Sequence, residues 1–361
     1  MTVDNLPPRP PTAFRSVGIL CNSFGDPYTV PILHGAAKEL SAQGYHTICL
    51  TGGFPNAPIY QGIDQQPAIP PFLDGLILLS ATMRGFGSEL EQMASGSPQA
   101  VVSIGASLGQ LPSIAANDET GIFQAVAHLV KRHDRKLIAF IGGPEGSTDG
   151  SRRQAAYRIA LENFNLPCDP SLVVRGDYEA RSGREAVRAL RQMSSKSFDA
   201  IVAANDLMAI GAMEGLQAAG IRVPGKVSVI GFDDMEEAAF TVPSLTTVRQ
   251  PVYEQGISAA HLVLRLLKGG TIEDQVTIIP TPLVLRHSCG CATSDSGQRM
   301  AAVVATDMLE SYEKLEDAMR SRIRRHLAAQ RQHRELSRLA DRLVSVVDFP
   351  ELASVMSEVF R

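Results

Sequence analysis

The chain has 361 residues, more than one core comfortably fills, so at least two lobes are expected. Its 44% apolar and 20% charged residues describe an ordinary globular chain, and a net charge of -4 argues against nucleic acid or an anionic membrane as its main partner. No apolar run is long enough to span a bilayer, residues 1–12 are polar and proline-rich without the apolar core of a secretory signal, and the five cysteines are irregularly spaced; together these suggest a reducing, cytoplasmic setting.

Taken in order, residues 16–21 (Ser-Val-Gly-Ile-Leu-Cys) read as a buried parallel strand, followed by a loop from Asn22 to Tyr28. Apolar residues Ile32, Leu33, Ala36, Ala37 and Leu40 then recur at helical spacing up to a stop at Gly44, and residues 45–50 return to a strand. Further strands are predicted at 74–79, with Ser80 at its end, and at 100–104. This alternation implies a doubly wound parallel sheet. A helix beginning within 117–121, with Asp118 or Thr120 as its cap, leads to a strand over 136–141, and Ser151-Arg152-Arg153 opens the next helix. Two buried strands, 198–204 and 227–230, then end in Asn205-Asp206 and Gly231-Phe232-Asp233-Asp234. Each delivers a carboxylate to the edge of the sheet where open α/β proteins bind ligands. The extended stretch 243–251, closed by Pro251, suits a crossing between lobes. A helix over 253–267 and strands over 275–279 and 281–286 follow.

From Arg299 the apolar positions Val304, Met308, Tyr312, Leu315, Met319, Ile323 and Leu327 form a single stripe, which predicts a long two-helix or coiled-coil seam. Its arginines between 320 and 342 read as a solvated face. The domain plan is therefore a leader over 1–13, a first lobe over 14–114 plus 250–277, and a second lobe over 115–249 plus 278–289. A coiled-coil signalling or dimerisation helix over 290–348 and a further segment over 349–361 complete it.

Four stretches carry a resemblance: Val229-Ile230-Gly231-Phe232-Asp233-Asp234, Leu245-Thr246-Thr247-Val248-Arg249-Gln250-Pro251, Ala203-Ala204-Asn205-Asp206 with Ala209-Ile210-Gly211, and Leu283-Val284-Leu285-Arg286. In this order, and with Ile138-Ala139-Phe140-Ile141-Gly142-Gly143-Pro144, they resemble the ligand-binding core of the lactose-repressor/galactose-repressor family, over roughly 16–289. The resemblance implies two doubly wound parallel-sheet lobes of the periplasmic-binding-protein type I, joined by a hinge of three crossings near Ala115, Val248 and Ile279. It also implies a small effector, a sugar or a nucleobase, and a homodimer. Family repressors carry an N-terminal helix-turn-helix, whereas only residues 1–14 precede the first strand here. The reading is therefore a small-molecule sensor that signals through its C-terminal helix to an output module. The alternatives are a DNA-binding repressor whose reader lies elsewhere and a transport-type solute-binding protein.

The resemblance places Arg153 and Asp233 on the ligand, with Arg152 as the rival to Arg153; a planar guanidinium suits vicinal hydroxyls. Asn205 and Asp206 are either ligand contacts or helix caps. Gln250 either spans both lobes and the ligand or bonds only the hinge backbone. In the first lobe Asn22, Phe24, Asp26 and Tyr28 form the first β-α loop, where an aromatic ring stacks on a ligand or merely packs, and Ser80 ends a neighbouring strand. No catalytic set is expected, because His34, His46, His128, His133 and His261 fall in or beside helices away from any nucleophile. No cofactor or metal is assigned; Cys289-Gly290-Cys291 with His287 amounts to half a zinc site, or to a tight turn.

Overall fold

The computed structural model describes residues 15–291, apart from 24–27, 53, 57, 61–67, 84, 96, 98, 106–107, 194–196 and 273. The expected leader, the expected long C-terminal helix and the segment over 349–361 lie outside these residues. The expected α/β class is found, as two six-stranded sheets.

The first half of the chain runs β1 (Ser16–Cys21), α1 (Thr29–Ala42), β2 (His46–Thr51), β3 (Gly75–Leu78), α2 (Gly87–Ser95), β4 (Ala100–Ile104) and β5 (Ser113–Ala116). The second runs α3 (Asp118–His133), β6 (Ile138–Gly142), α4 (Thr148–Asn163), β7 (Val173–Arg175), α5 (Ala180–Met193), β8 (Ala200–Ala203), α6 (Asp206–Ala218), β9 (Ser228–Asp233), α7 (Glu236–Phe240) and β10 (Thr246–Arg249). The chain then adds α8 (Val252–Leu267), β11 (Val276–Ile279) and β12 (Leu283–Val284). The first sheet has the order β11-β5-β4-β3-β1-β2 and the second β12-β10-β9-β8-β6-β7. All pairings are parallel except that of β10 with β12.

Helices α3, α4 and α6 begin where side chains satisfy free N–H groups of their first turns. Asn117 accepts from the Thr120 amide, Ser147 from Gly150 and Asn205 from Met208. At the end of α1 the Gly44 and Tyr45 amides close back on Ser41 and Leu40, at the stop read from the sequence. Acidic Asp118 and Glu119 in the first turn of α3, and basic Lys131, Arg132 and His133 in its last, complement the helix dipole.

The core follows the sheets. Phe140, stacked on Tyr157 at 4.8 Å, fills the second lobe with Val202, Ile230 and Phe232. Ile19, Ile77 and Val102 meet α1 and α8 on one face of the first sheet, and Leu76, Leu78, Tyr60 and Met93 cover the other. The elements absent from the sequence-based expectation are α2, β5, β7, α5 and α7. In α5 the buried positions Gly183, Ala186, Val187 and Leu190 are small or interleaved with arginines, which obscures its helical stripe.

Three stretches pass between the sheets: β5 through Asn117 into α3, β10 through Gln250 and Pro251 into α8, and β11 through Thr281 into β12. They run side by side. The Asn117 amide donates to the Ile279 carbonyl at 2.9 Å, the Thr281 hydroxyl donates to the Asn117 carbonyl at 2.7 Å, and the Arg249 amide donates to the Pro282 carbonyl at 2.8 Å.

Candidate functional site

Arg153 projects from the second turn of α4 into the space beside these passages and is only 4% exposed. A buried guanidinium must have its donors occupied. Here Nε donates to Asp118 Oδ1 at 2.9 Å, Nη1 to the Ala204 carbonyl at 2.7 Å and Nη2 to Gln250 Oε1 at 3.0 Å. Asp233 Oδ1 lies 3.7 Å from Nη1, and the guanidinium carbon is 3.7 Å from the centre of the Phe232 ring, a cation–π contact. Arg152 turns to the outer side of the same acid: its Nε is 3.1 Å from Asp118 Oδ2, and its Nη2 is 2.5 Å from Asp149. Of the two arginines, Arg153 is the one that meets Asp233. The Asp118 carboxylate, buried at the start of α3, is shared by both.

Asp233 ends β9 with φ at 121°, a conformation that L side chains rarely adopt, and its neighbour Asp234 has φ at 61°. The two carboxylates diverge. Asp234 binds Arg249 and Arg286, each at 2.6 Å, and so braces the passage, whereas Asp233 faces Arg153. Burial pushes the Asp233 carboxyl up to about 7, against the pull of Arg153 and with the help of Asp118 and Asp149.

Asp206 and Asn205 work inside the second lobe. Asp206 is fully buried; Oδ1 accepts from the Thr247 hydroxyl at 2.5 Å and Oδ2 from the Met235 amide at 2.8 Å. Burial, more than the nearby Asp233, holds its carboxyl well above the usual carboxylate range. Asn205 caps α6 through Oδ1, and its Nδ2 donates to the Tyr178 carbonyl at 2.9 Å. Asn205 thus caps α6, whereas the two bonds of Asp206 run to β10 and to the residue before α7 and not to the start of its own helix. Gln250, buried on the second passage, accepts from Arg153 with its side chain, while its amide donates to the Asp233 carbonyl at 3.1 Å.

From the first lobe Tyr28, just before α1, brings its hydroxyl into this cluster. The oxygen is buried and has no hydrogen-bond partner among the described residues. Burial, reinforced by Asp149, pushes its pKa far up, so the phenol keeps its proton and presents a donor. Asn22 is exposed, and its amide donates to Thr82 Oγ1 at 3.3 Å. Ser80 is occupied within the first sheet, by Ser103 at 2.8 Å and the Ile104 carbonyl at 2.9 Å. Phe24 and Asp26 lie outside the described residues.

The cluster thus gathers Arg152, Arg153, Asp118, Asp149, Asp233, Gln250 and Tyr28. Sequence reading missed Asp149 and Tyr178, whose hydroxyl is 2.7 Å from Ser147 Oγ, and took Asp118 only as a cap. Phe232 was visible only as part of the strand-end motif.

Residues 126–289 match the periplasmic binding protein-like domain family. The chain is 31% identical, over 73% of its own length and 77% of the other's, to the HTH-type transcriptional regulator CelR of Thermobifida fusca. The chain belongs to the LacI family. It is also 28% identical to the HTH-type transcriptional repressor PurR of Aliivibrio salmonicida, over 76% of this chain and 81% of that one. Among solved structures, a complex of the regulator CelR with cellobiose superposes with a TM-score of 0.65 at 28% identity, covering 76% of this chain and 86% of that one. The LacI-family relatives compared are transcription regulators and not enzymes, in keeping with the expectation that no catalytic set is present. Among the described residues no helix is long and apolar enough to cross a membrane.

Proposed function

We propose that this chain is the effector-binding core of a cytoplasmic, homodimeric transcription regulator, and that a neutral polyhydroxylated ligand of the sugar class draws its two lobes together. The LacI-family relatives favour the repressor-type alternative over a sensor that signals only through a C-terminal helix, and over a transport-type binding protein. DNA contact falls to a reader module outside residues 15–291.

The observation that carries the ligand reading is the Tyr28 hydroxyl, a buried donor without a partner among the described residues, set from the first lobe beside the charged cluster of the second. A buried hydroxyl left unbonded costs free energy, so a ligand acceptor at this point is the economical explanation. The charge balance selects the ligand class. Two guanidiniums already face Asp118, Asp149 and an Asp233 that keeps its proton up to about pH 7, so no positive charge is left over for a phosphate or carboxylate, whereas vicinal hydroxyls can donate to Asp233 and accept from Arg153. Contact with both lobes is also the requirement for a ligand to shift an open–closed equilibrium.

Tyr28→Phe tests this reading, because it removes only the unpartnered oxygen. Calorimetric titration against mono- and disaccharides, nucleosides and sugar phosphates should identify a neutral sugar. In the variant its affinity should fall about 3- to 10-fold while the unliganded melting temperature is unchanged or higher. Unchanged affinity would remove Tyr28 from the site, and a preference for anionic ligands would overturn the assigned class.

A further inference from the structure

At the end of α3 opposite Asp118, two histidines meet two cysteines that are remote in sequence. His128 and His133 close α3, and Cys289 and Cys291 follow β12. The two imidazole Nε2 atoms are 3.1 Å apart, and Cys291 Sγ is 3.4 Å from one and 3.5 Å from the other. With Cys289 Sγ, all four donor atoms lie within 4.8 Å of one another. Ordinary zinc–nitrogen and zinc–sulfur bonds in a tetrahedron give edges of about 3.3 Å between nitrogens and about 3.6 Å between nitrogen and sulfur. The separations among Cys291, His128 and His133 are those of a ligand shell, and Cys289 Sγ stands near enough to complete it with a small movement.

The surroundings support the same conclusion. Thr246 Oγ1 accepts from the Arg286 amide at 2.9 Å, which leaves its own proton to donate to Cys289 Sγ at 3.2 Å; such a bond orients and stabilises a metal-bound thiolate. Gly290 has φ at 111°, and a Cβ there would stand 3.1 Å from His133 Nδ1, so the turn that lays both cysteines against α3 depends on glycine. The histidine spacing falls within the His-x3–5-His range of structural zinc sites. His287, grouped with the cysteines on sequence proximity, bonds Ser244 Oγ at 2.6 Å instead, so the missing pair comes from α3. Two imidazoles and two thiols favour zinc among common divalent ions, and four protein ligands leave no open position for catalysis.

We propose that His128, His133, Cys289 and Cys291 bind one zinc ion in a structural Cys2His2 site that clips the segment after β12 to the end of α3. Binding releases the thiol protons as the sulfurs become thiolates.

The test is the metal content of the full chain, purified without a histidine tag and dialysed. Close to one zinc per chain is expected, falling to background in Cys291→Ser and in His128→Gln but retained in Cys168→Ser, which alters an exposed cysteine outside the cluster. Cobalt in place of zinc should show the visible bands of a tetrahedral thiolate complex. Should the ligand variants fail to fold, the wild-type zinc content and cobalt spectrum decide the matter alone. Zinc at background in the wild type, zinc retained in soluble Cys291→Ser, or a Cys289–Cys291 disulfide in place of the metal would each overturn the assignment.

Discussion

Asp233 makes the cleft sensitive to pH, and the sign follows from its surroundings. Its folded pKa of about 7 lies above the ordinary aspartate value near 4, so the folded chain holds a proton that the unfolded chain has released across that window. Stability from this group is therefore lost as pH rises from about 4 to about 7 and levels off above, and the raised Asp206 carboxyl acts in the same direction. Asp233→Asn should flatten this slope and stabilise the unliganded chain by roughly 1–3 kcal/mol at neutral pH and above. Thermal melts across the range check it; parallel curves for variant and wild type would show that Asp233 does not titrate as argued. The presence of Arg153 at a helix start and Asp233 at a strand end was legible in the sequence. The resemblance put both on one ligand, but the anchoring of Arg153 by Asp118 and Gln250, from two separate passages, was not legible. For Asp206 an aspartate after a strand fits a cap as well as a ligand contact, and only folding brings Thr247 and the Met235 amide to its two oxygens.

At the level of elements, β-strand alternation was easiest to read, since buried parallel strands are continuous apolar runs bounded by glycine and polar residues. Helices α1 and α8 were each predicted and assigned to the first lobe, but their pairing was hidden. A Cβ on Gly35 would stand 2.2 Å from the Tyr253 carbonyl oxygen, and one on Gly256 2.2 Å from that of Ile32, so the two backbones touch through reciprocal glycines. Gly256→Ala should force these helices apart and cost roughly 1–3 kcal/mol, despite the better helix propensity of alanine. Denaturant unfolding measures it. A stabilised variant would show that the contact relaxes freely.

Across the whole molecule, Arg153 bonds the exit of the first passage through Asp118 and the second through Gln250, so it fastens two of the three links between the lobes. Arg153→Ala leaves Asp118 with Arg152 as its remaining partner and should lower the unfolding free energy by roughly 2–4 kcal/mol. Small-angle scattering of the folded variant should show a larger radius of gyration than the wild type if this residue latches the lobes. An unchanged radius would confine its role to the interior of the second lobe.

Helix α3 gives this arrangement a mechanical scale. It carries Asp118 at the cleft and His133 beside the cysteine turn, and its 16 residues span about 24 Å. A rod of that length tilting by about 5° about its cleft end carries its far end through about 2 Å, enough to change which side chains pack there. A disturbance of one carboxylate thus becomes, at the other end of a single rigid element, a displacement large enough to be read by whatever is fastened to it.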